Sequence, residues 1–334
     1  MNTHNPQFSI IIPVYNRPQE VKELLESLAV QSTKNFEVII VEDGSSDKCE
    51  DIAAKYTSTP LHYYFKENGG PAVARNFGAE KASGEWLVFF DSDCIIPEQY
   101  FEEATLGVAG NNCELFGGAD RSHSSFTPLQ KAIDYSMTSL LTTGGIRGNK
   151  KSADKFYPRT FNMGIKKEVF FKRGGFSNMR FGEDVDFSYK VKEGGYKSSL
   201  FTEAWVYHKR RNTFRTFFKQ VFNSGIARIH LTKRHPGSLK IVHLLPSAFV
   251  LGTLFLLVLA LLWSVWFVAP LLLLSLILFA DALVQKRSLK TAFLSVVASF
   301  VQLFGYGSGL LIGWWNISVL GRSNYAAFVK NFYR

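Results

Sequence analysis

Short apolar runs recur along the first two thirds of the chain, and the segments between them carry apolar residues at helical spacing. Phe8-Ser-Ile-Ile-Ile-Pro-Val-Tyr15 reads as a first buried strand. Arg17-Pro-Gln-Glu20 then opens a helix, with Pro18 suited to its first turn and Val21, Leu24, Leu25 and Leu28 on one packing face. Phe36 to Val41 is a second strand, followed by a helix over about 47–56 whose natural cap is Asp47. Leu61 to Phe65 is a third strand, and after Asn68-Gly-Gly-Pro71 comes a helix carrying Val73, Ala74, Phe77 and Ala82. Trp86-Leu-Val-Phe-Phe90 is a fourth strand that ends abruptly in Asp91-Ser-Asp93. Repeated strand, helix, strand units imply right-handed parallel crossovers and a doubly wound α/β sheet.

The pattern then loosens. A helix from Pro97 to about Ala109 and an apolar stretch at Leu115 to Gly118 lead into a polar, Gly-rich segment from Asp120 to Tyr157, which reads as a partly mobile loop. Order returns at Thr160 to Ile165, and Arg180-Phe-Gly-Glu-Asp-Val185 is an acidic helix start with Val185, Tyr189 and Val191 on the buried side. Acids there also serve simply as partners of the helix dipole. After Ser198 to Phe201 and Ala204 to Tyr207, His208-Lys-Arg-Arg211 closes this part.

The last third is a different material. Phe214 to Leu231 is a basic, aromatic helix that fits either a membrane surface or ordinary packing on the domain. Beyond it the chain is almost uncharged, with three candidate spans at Leu244 to Trp263, Trp266 to Val284 and Ala292 to Trp315, each close to the roughly 20 residues a crossing needs. Lys286, Arg287 and Lys290 between the second and third spans place that loop on the cytoplasmic side with the first domain. An odd count would then export a C-terminal tail that carries Arg322, Lys330 and Arg334. Gly305-Tyr-Gly-Ser-Gly309 suggests a re-entrant break in the last segment, and Asp281 falls at an interface. The expected division is a catalytic domain over 1–212, a basic interfacial segment over 213–240 and a membrane region over 241–334.

Composition narrows the class. Hydrophobic residues make up 46% of 334, enough to exclude disorder. The formal charge of +10 raises nucleic acid as a partner, but the densest run, Lys209 to Arg215, lies just ahead of the apolar region, where lipid heads or a diphosphate fit better. Cys49, Cys94 and Cys113 have no metal-type spacing and suit a reducing compartment. No basic-then-hydrophobic leader precedes the first strand, so the expected location is the inner (cytoplasmic) membrane, multi-pass, with the catalytic domain in the cytoplasm.

The chemistry collects at strand ends, where open α/β sheets bind ligands. Asn16, Asp43, Asp91 and Asp93 all follow predicted strands. Asp91 and Asp93 suit a hard divalent cation that also holds phosphate oxygens, although Asp and Ser are ordinary turn residues too.

Taken in order, Ile10-Ile-Ile-Pro-Val-Tyr-Asn16, Val41-Glu-Asp-Gly-Ser-Ser-Asp47, Asn68 to Asn76, Asp91-Ser-Asp93 and Gly182-Glu-Asp184 resemble a family 2 glycosyltransferase of the GT-A fold over about residues 8–235. That resemblance implies inverting transfer from a nucleotide diphosphate sugar with manganese or magnesium. It implies a donor pocket of Pro13, Tyr15, Asn16, Asp43 toward a uracil imide, Arg75 toward base or phosphate, Asp91, and Arg211 over the diphosphate. Asp91, Asp93 and His208 would hold the metal, Asp184 would be the general base, and Glu183 and Asn162 would face the acceptor. For each there is a plainer reading: a helix cap for Asp43, a solvated helix arginine for Arg75, a structural histidine for His208, and a lipid-head contact for Arg211. The expected activity is transfer from a UDP-sugar to a hydroxyl of a lipid-linked glycan or polysaccharide at the membrane. The alternatives are a polyprenyl-phosphate sugar synthase, whose anionic acceptor needs no base, and a non-catalytic nucleotide-sugar-binding membrane protein. A processive synthase is disfavoured, since no Gln-x-x-Arg-Trp string occurs and Lys219-Gln-Val-Phe222 is not one.

Overall fold

The computed structural model describes residues 6–121, 123, 125–143, 157–323 and 325–328. Its apolar runs form one eight-stranded sheet in the order β3-β2-β1-β4-β7-β6-β8-β5. The first half is the doubly wound unit expected from the pattern: β1 (Phe8–Val14), α1 (Pro18–Ala29), β2 (Phe36–Asp43), α2 (Glu50–Ala53), β3 (Leu61–Lys66), α3 (Pro71–Lys81) and β4 (Trp86–Phe89). These strands pair in parallel, with Ile11 opposite both Ile39 and Phe89. Strand alternation divides the core cleanly. Ile10, Ile12, Val38, Ile40 and Val88 face one layer with α1, while Ile11, Ile39, Val41, Leu87 and Phe89 face the other with α3. The α2 helix is much shorter than its pattern suggests, and its cap position is Cys49 rather than Asp47.

The second half is mixed rather than parallel. It comprises β5 (Cys94–Ile95), α4 (Tyr100–Gly110), β6 (Leu115–Arg121), β7 (Met163–Lys166), α7 (Lys167–Lys172), α8 (Glu183–Glu193) and β8 (Ser198–His208). β7 runs antiparallel to both β4 and β6, and β8 runs parallel to β6 and antiparallel to β5. The carboxyl ends of β1, β2, β4, β6 and β8 therefore meet at one edge, where β7 begins. That edge carries the acids.

The chain clusters into two compact units: Met1–His123 with Lys150–His208, and Ser124–Asn149 with Lys209–Arg334. The second unit corrects the expected loop. Within it, Pro128–Thr138 forms α5 and Leu140–Thr143 forms α6, while 144–156 lie outside the described residues. A capping box starts α5: Thr127 Oγ1 accepts from Gln130 N–H and Gln130 Oε1 accepts from Thr127 N–H, with Pro128 in the first turn.

The rest of this unit is α9 (Phe214–Arg234), α10 (Ile241–Leu262), a 3₁₀ turn (Val265–Val268), α11 (Ala269–Lys286), α12 (Leu289–Trp314) and a π turn (Trp315–Val319). Among the described residues, three helices are long and apolar enough to cross a membrane. The apolar face of α9 is taken up by packing: Phe217 and Val221 join Ile133, Met137 and Ala298, and Phe222, Ile226 and Ile229 join Leu310 and Ile317. Asp281 is partnered rather than stranded, accepting from Tyr135 Oη at 2.5 Å and Gln285 Nε2 at 2.9 Å.

The glycines of α12 correct a second expectation. No re-entrant break occurs; the helix runs through Gly305 to Gly309. Gly305, Gly309 and Gly313 instead form a small-residue stripe along α9, and a Cβ built on Gly309 would lie 2.0 Å from the Phe222 carbonyl oxygen. Gly309→Ala should therefore lower the thermal midpoint in detergent, with a loss of about 1–3 kcal/mol from overpacking. At Gly252 in α10 a Cβ meets nothing within 4 Å. Gly252→Ala should leave the midpoint unchanged or raise it by up to about 1 kcal/mol equivalent. Far-UV circular dichroism melts compare the two, and equal losses would contradict the packing role of the stripe.

Candidate active site

The site is built from loops that leave the carboxyl ends of the sheet. Asn16 follows β1 with φ of 52°, a left-handed conformation that Asn tolerates better than most residues. Its Oδ1 accepts from the backbone N–H of Ser46 and Asp47 at 2.9 and 3.0 Å, locking the loop after β2 to the loop after β1. Tyr15 beside it is 40% exposed and Pro13 is half-buried. Asp43, at the end of β2, is buried. Its Oδ1 accepts from Lys66 Nζ at 2.7 Å and Gly69 N–H at 2.9 Å, and its Oδ2 accepts from Gly70 N–H at 2.7 Å. Asp43 thus fixes the turn that starts α3. A carboxylate has about four acceptor sites, so capacity for one further donor remains.

Arg75 departs from its sequence reading. It is not the solvated helix arginine of the plainer reading. The side chain is buried, with Nη2 donating to Asp91 Oδ1 at 2.6 Å and Nη1 to Glu183 Oε1 at 2.9 Å. Burial alone would lower its pKa, but the facing carboxylates of Asp91 and Glu183 raise it. The forked, permanently charged guanidinium is the group that can bridge two such acids. It joins the acid turn after β4 to the start of α8.

That helix start is shaped by Gly182, whose φ of 82° is left-handed. Glu183, Asp184 and Asp186 occupy the first turn of α8, where the helix dipole favours negative charge. Glu183 and Asp184 are both buried. Burial pushes the Glu183 carboxyl up to about 7, with Arg75 opposing and Asp184 adding to the rise. Asp184 Oδ2 lies 2.7 Å from Arg159 Nε, an ion pair that aims the carboxylate. Nothing in the sequence pattern marked Arg159, which sits just ahead of β7 in an isolated bridge with Asn162.

His208 reaches the acid turn through strand pairing: the register sets it opposite Cys94, the residue after Asp93. His208 Nε2 is 3.2 Å from Asp93 Oδ1 and 3.9 Å from Asp91 Oδ2. Its ring stacks on Phe161 with centroids 4.8 Å apart. Its Nδ1 lies 3.9 Å from Asp120 Oδ2, an acid missed in the sequence because only the β6–β8 pairing brings it here. Asp93 and His208, with Asp91 adjoining, offer oxygen and imidazole ligands that fit manganese or magnesium. Cys94 Sγ also falls in this group, within 4.8 Å of the Asp93 and His208 donor atoms. Its thiol is a poor ligand for such ions, since burial pushes its pKa well up and Sγ points to the Phe161 carbonyl at 3.5 Å.

Two expectations fare differently. Asn162 is fully buried, its Oδ1 accepting from Tyr100 Oη at 2.6 Å and its Nδ2 donating to the Ala204 carbonyl at 2.9 Å. Both ends of the amide are engaged inside the fold, so it does not face an acceptor. Arg211 belongs to the second unit, where its neighbour Arg210 is buried against Asp134 at 2.9 Å.

The Glu183 shift has a sign that can be measured. Between the ordinary glutamate value of 4.5 and about 7 the folded protein holds a proton that the unfolded chain has released. Stability therefore falls as pH rises through that window. Glu183→Gln removes this contribution, so its thermal midpoint should decline less steeply from pH 5 to pH 7 than that of the parent, a difference on the order of 1–3 kcal/mol. Parallel slopes in differential scanning fluorimetry would contradict the buried, proton-retaining carboxyl.

With this geometry in place, likeness to known proteins is informative. Residues 9–172 match the family described as Glycosyl transferase family 2. A Haemophilus influenzae protein described as an uncharacterized glycosyltransferase is 34% identical over 223 residues, spanning 62% of this chain and 71% of the relative. Against a Rickettsia felis glycosyltransferase, 42% identical over 133 residues, the match spans 40% of this chain and only 21% of the relative. The mannosyltransferase PcManGT from Pyrobaculum calidifontis, solved in complex with GDP-Man and Mn2+, has a TM-score of 0.64 at 19% identity, covering 90% of this chain and 88% of its own. S. aureus TarS 1-349 in complex with UDP-GlcNAc has a TM-score of 0.50 at 18% identity, covering 97% and 95%. At these identities the structural likeness speaks for the fold, a GT-A-like mixed α/β domain followed by apolar helices. By sequence match, fold and motif order together, the chain belongs to the family 2 glycosyltransferases.

Proposed function

We propose that the protein transfers a sugar, with inversion, from a UDP-sugar to a hydroxyl of a lipid-linked glycan or polysaccharide at the cytoplasmic face of the inner membrane. The observation that carries this reading is the buried Arg75, which bridges Asp91 of the Asp91-Ser-Asp93 turn and Glu183 of the α8 start. It supports the reading because one side chain ties the turn read as donor-binding to the helix start read as carrying the base. Support for the donor class comes from the solved relatives, one described with GDP-Man and Mn2+ and one with UDP-GlcNAc.

In this reading Pro13, Tyr15, Asn16 and Asp43 hold the nucleoside, with the remaining acceptor capacity of Asp43 directed at a base N–H. Asp91, Asp93 and His208 hold a divalent cation, which when bound offsets charge on the departing diphosphate. Glu183 flanks the acceptor. Asp184, aimed by Arg159, takes the proton from the attacking hydroxyl on the face opposite the leaving group. A polyprenyl phosphate acceptor would need no such base.

Asp184→Asn separates these readings. Turnover by the detergent-purified protein, scored as nucleoside diphosphate release in a screen of nucleotide sugars with manganese, should drop by about 10²–10⁴. Donor affinity should stay within about threefold, because the substitution leaves the Asp91 and Asp93 turn intact. Unchanged turnover would remove Asp184 as base and favour an anionic acceptor.

A further inference from the structure

We infer that only α10 and α11 enter the bilayer, as a hairpin that leaves and returns on the same side, and that α12 and the following tail stay on that side with α9. This rests on the reading of the second unit as membrane-attached and goes beyond it by assigning which helices contact lipid.

The three apolar helices differ in what covers them. The most apolar windows of α10 and α11 are only 17% and 11% buried within the protein, whereas the window of α12 is 44% buried and is the least apolar of the three. Outward-facing Leu254, Leu261, Leu272 and Leu276 are all more than half exposed, as are Trp263 and Trp266 at the hairpin tip. Two tryptophans at a tip fit the interfacial belt of a membrane. The opposite ends of the hairpin carry Lys240 at the start of α10 and Lys286 with Arg287 at the end of α11.

The helix α12 is tied to charged elements instead. Its second half runs parallel to α9: Gly305 packs by Val221, Gly309 by Phe222 and Gly313 by Ile226, and Lys233 Nζ donates to the Ile317 carbonyl at 2.8 Å. If α12 crossed, α9 would cross beside it. Yet α9 carries Arg215, Lys219, Arg228, Lys233 and Arg234, and cations along a span are strongly disfavoured. The start of α9 and the end of α11 are also level, because Arg210 and Lys286 hold opposite oxygens of the same Asp134 carboxylate at 2.9 Å each.

The tail gives an independent bearing. After Gly321 it folds back along α9, with His230 Nε2 2.9 Å from the Tyr325 carbonyl oxygen and Ala327 N–H donating to Asn223 Oδ1 at 3.1 Å. Phe328 then packs on Phe222. The chain is heading toward the beginning of α9, not away from it.

Sealed membrane vesicles test this with single introduced cysteines, since Cys49, Cys94 and Cys113 are all buried and the parent protein gives the background. Arg215→Cys at the α9 start and Ser323→Cys after α12 should share one pattern toward a membrane-impermeant maleimide, both labelled or both requiring detergent. Ser264→Cys at the hairpin tip should be labelled at least tenfold less than Arg215→Cys in vesicles where Arg215→Cys is accessible. Opposite patterns for Arg215→Cys and Ser323→Cys would overturn the inference, as would equal labelling of Ser264→Cys from the Arg215 side. A protease-sensitive C-terminal tag repeats the reading if Ser323→Cys fails to fold. Alkaline carbonate extraction is scored separately: release of the parent protein would sink membrane attachment itself, and retention with mismatched sidedness would sink only the hairpin assignment.

Discussion

A buried cation governs the geometry of the candidate site. Arg75 is 4% exposed, and a guanidinium in that position is tolerated only while both forks are occupied by acids. Asp91 comes from the end of β4 and Glu183 from the first turn of α8, so one side chain spans the two elements that carry the remaining chemistry. Deleting either acid would leave this buried charge with one carboxylate in place of two, and breaking a buried pair in that way is destabilising. The same constraint explains why Glu183 is held near neutrality: its burial is only partly answered by Arg75, and Asp184 lies next to it. Asp184 has a separate partner in Arg159, so aiming the candidate base and anchoring the acid turn are divided between two arginines.

Much of this layout is legible along the chain. The runs ending at Val14, Asp43 and Phe89 are strands in the structure, and the parallel crossovers place their polar ends at one edge. The order of the motifs carries the family. What stays hidden depends on partners distant in sequence. The amide of Asn162 is enclosed by Tyr100 and Ala204, 62 and 42 residues away, and no local pattern distinguishes that from an exposed amide facing a substrate. Asp120 enters the His208 neighbourhood only because β6 and β8 pair in parallel. Arg75 looks like any helix arginine until Asp91 and Glu183 close on it.

Two other departures had local signals that a stronger neighbouring signal masked. Thr127-Pro-Leu-Gln130 is a capping box with proline in the first turn, yet the Gly-rich stretch beyond it made the whole segment read as a loop. Glycines at 305, 309 and 313 repeat every four residues, the spacing of one helix face, but three glycines within five positions read as a break. In both cases packing against a partner helix decided the conformation. The charged helix α9 and the insertion helix α5 supply much of that packing, so α12 is more covered than α10 and α11, whose most apolar windows are 17% and 11% buried.

The edge bearing Asp91, Asp93 and His208 is proposed as a cation-dependent nucleotide-sugar donor site. Titration of UDP and of GDP into the detergent-purified protein, with and without manganese and repeated on Asp93→Asn, tests it most directly. Saturable binding of at least one nucleotide that requires the cation and weakens at least about tenfold in Asp93→Asn is the expected result. Binding that is equally tight without metal and in the variant, or no binding of either nucleotide, would contradict it.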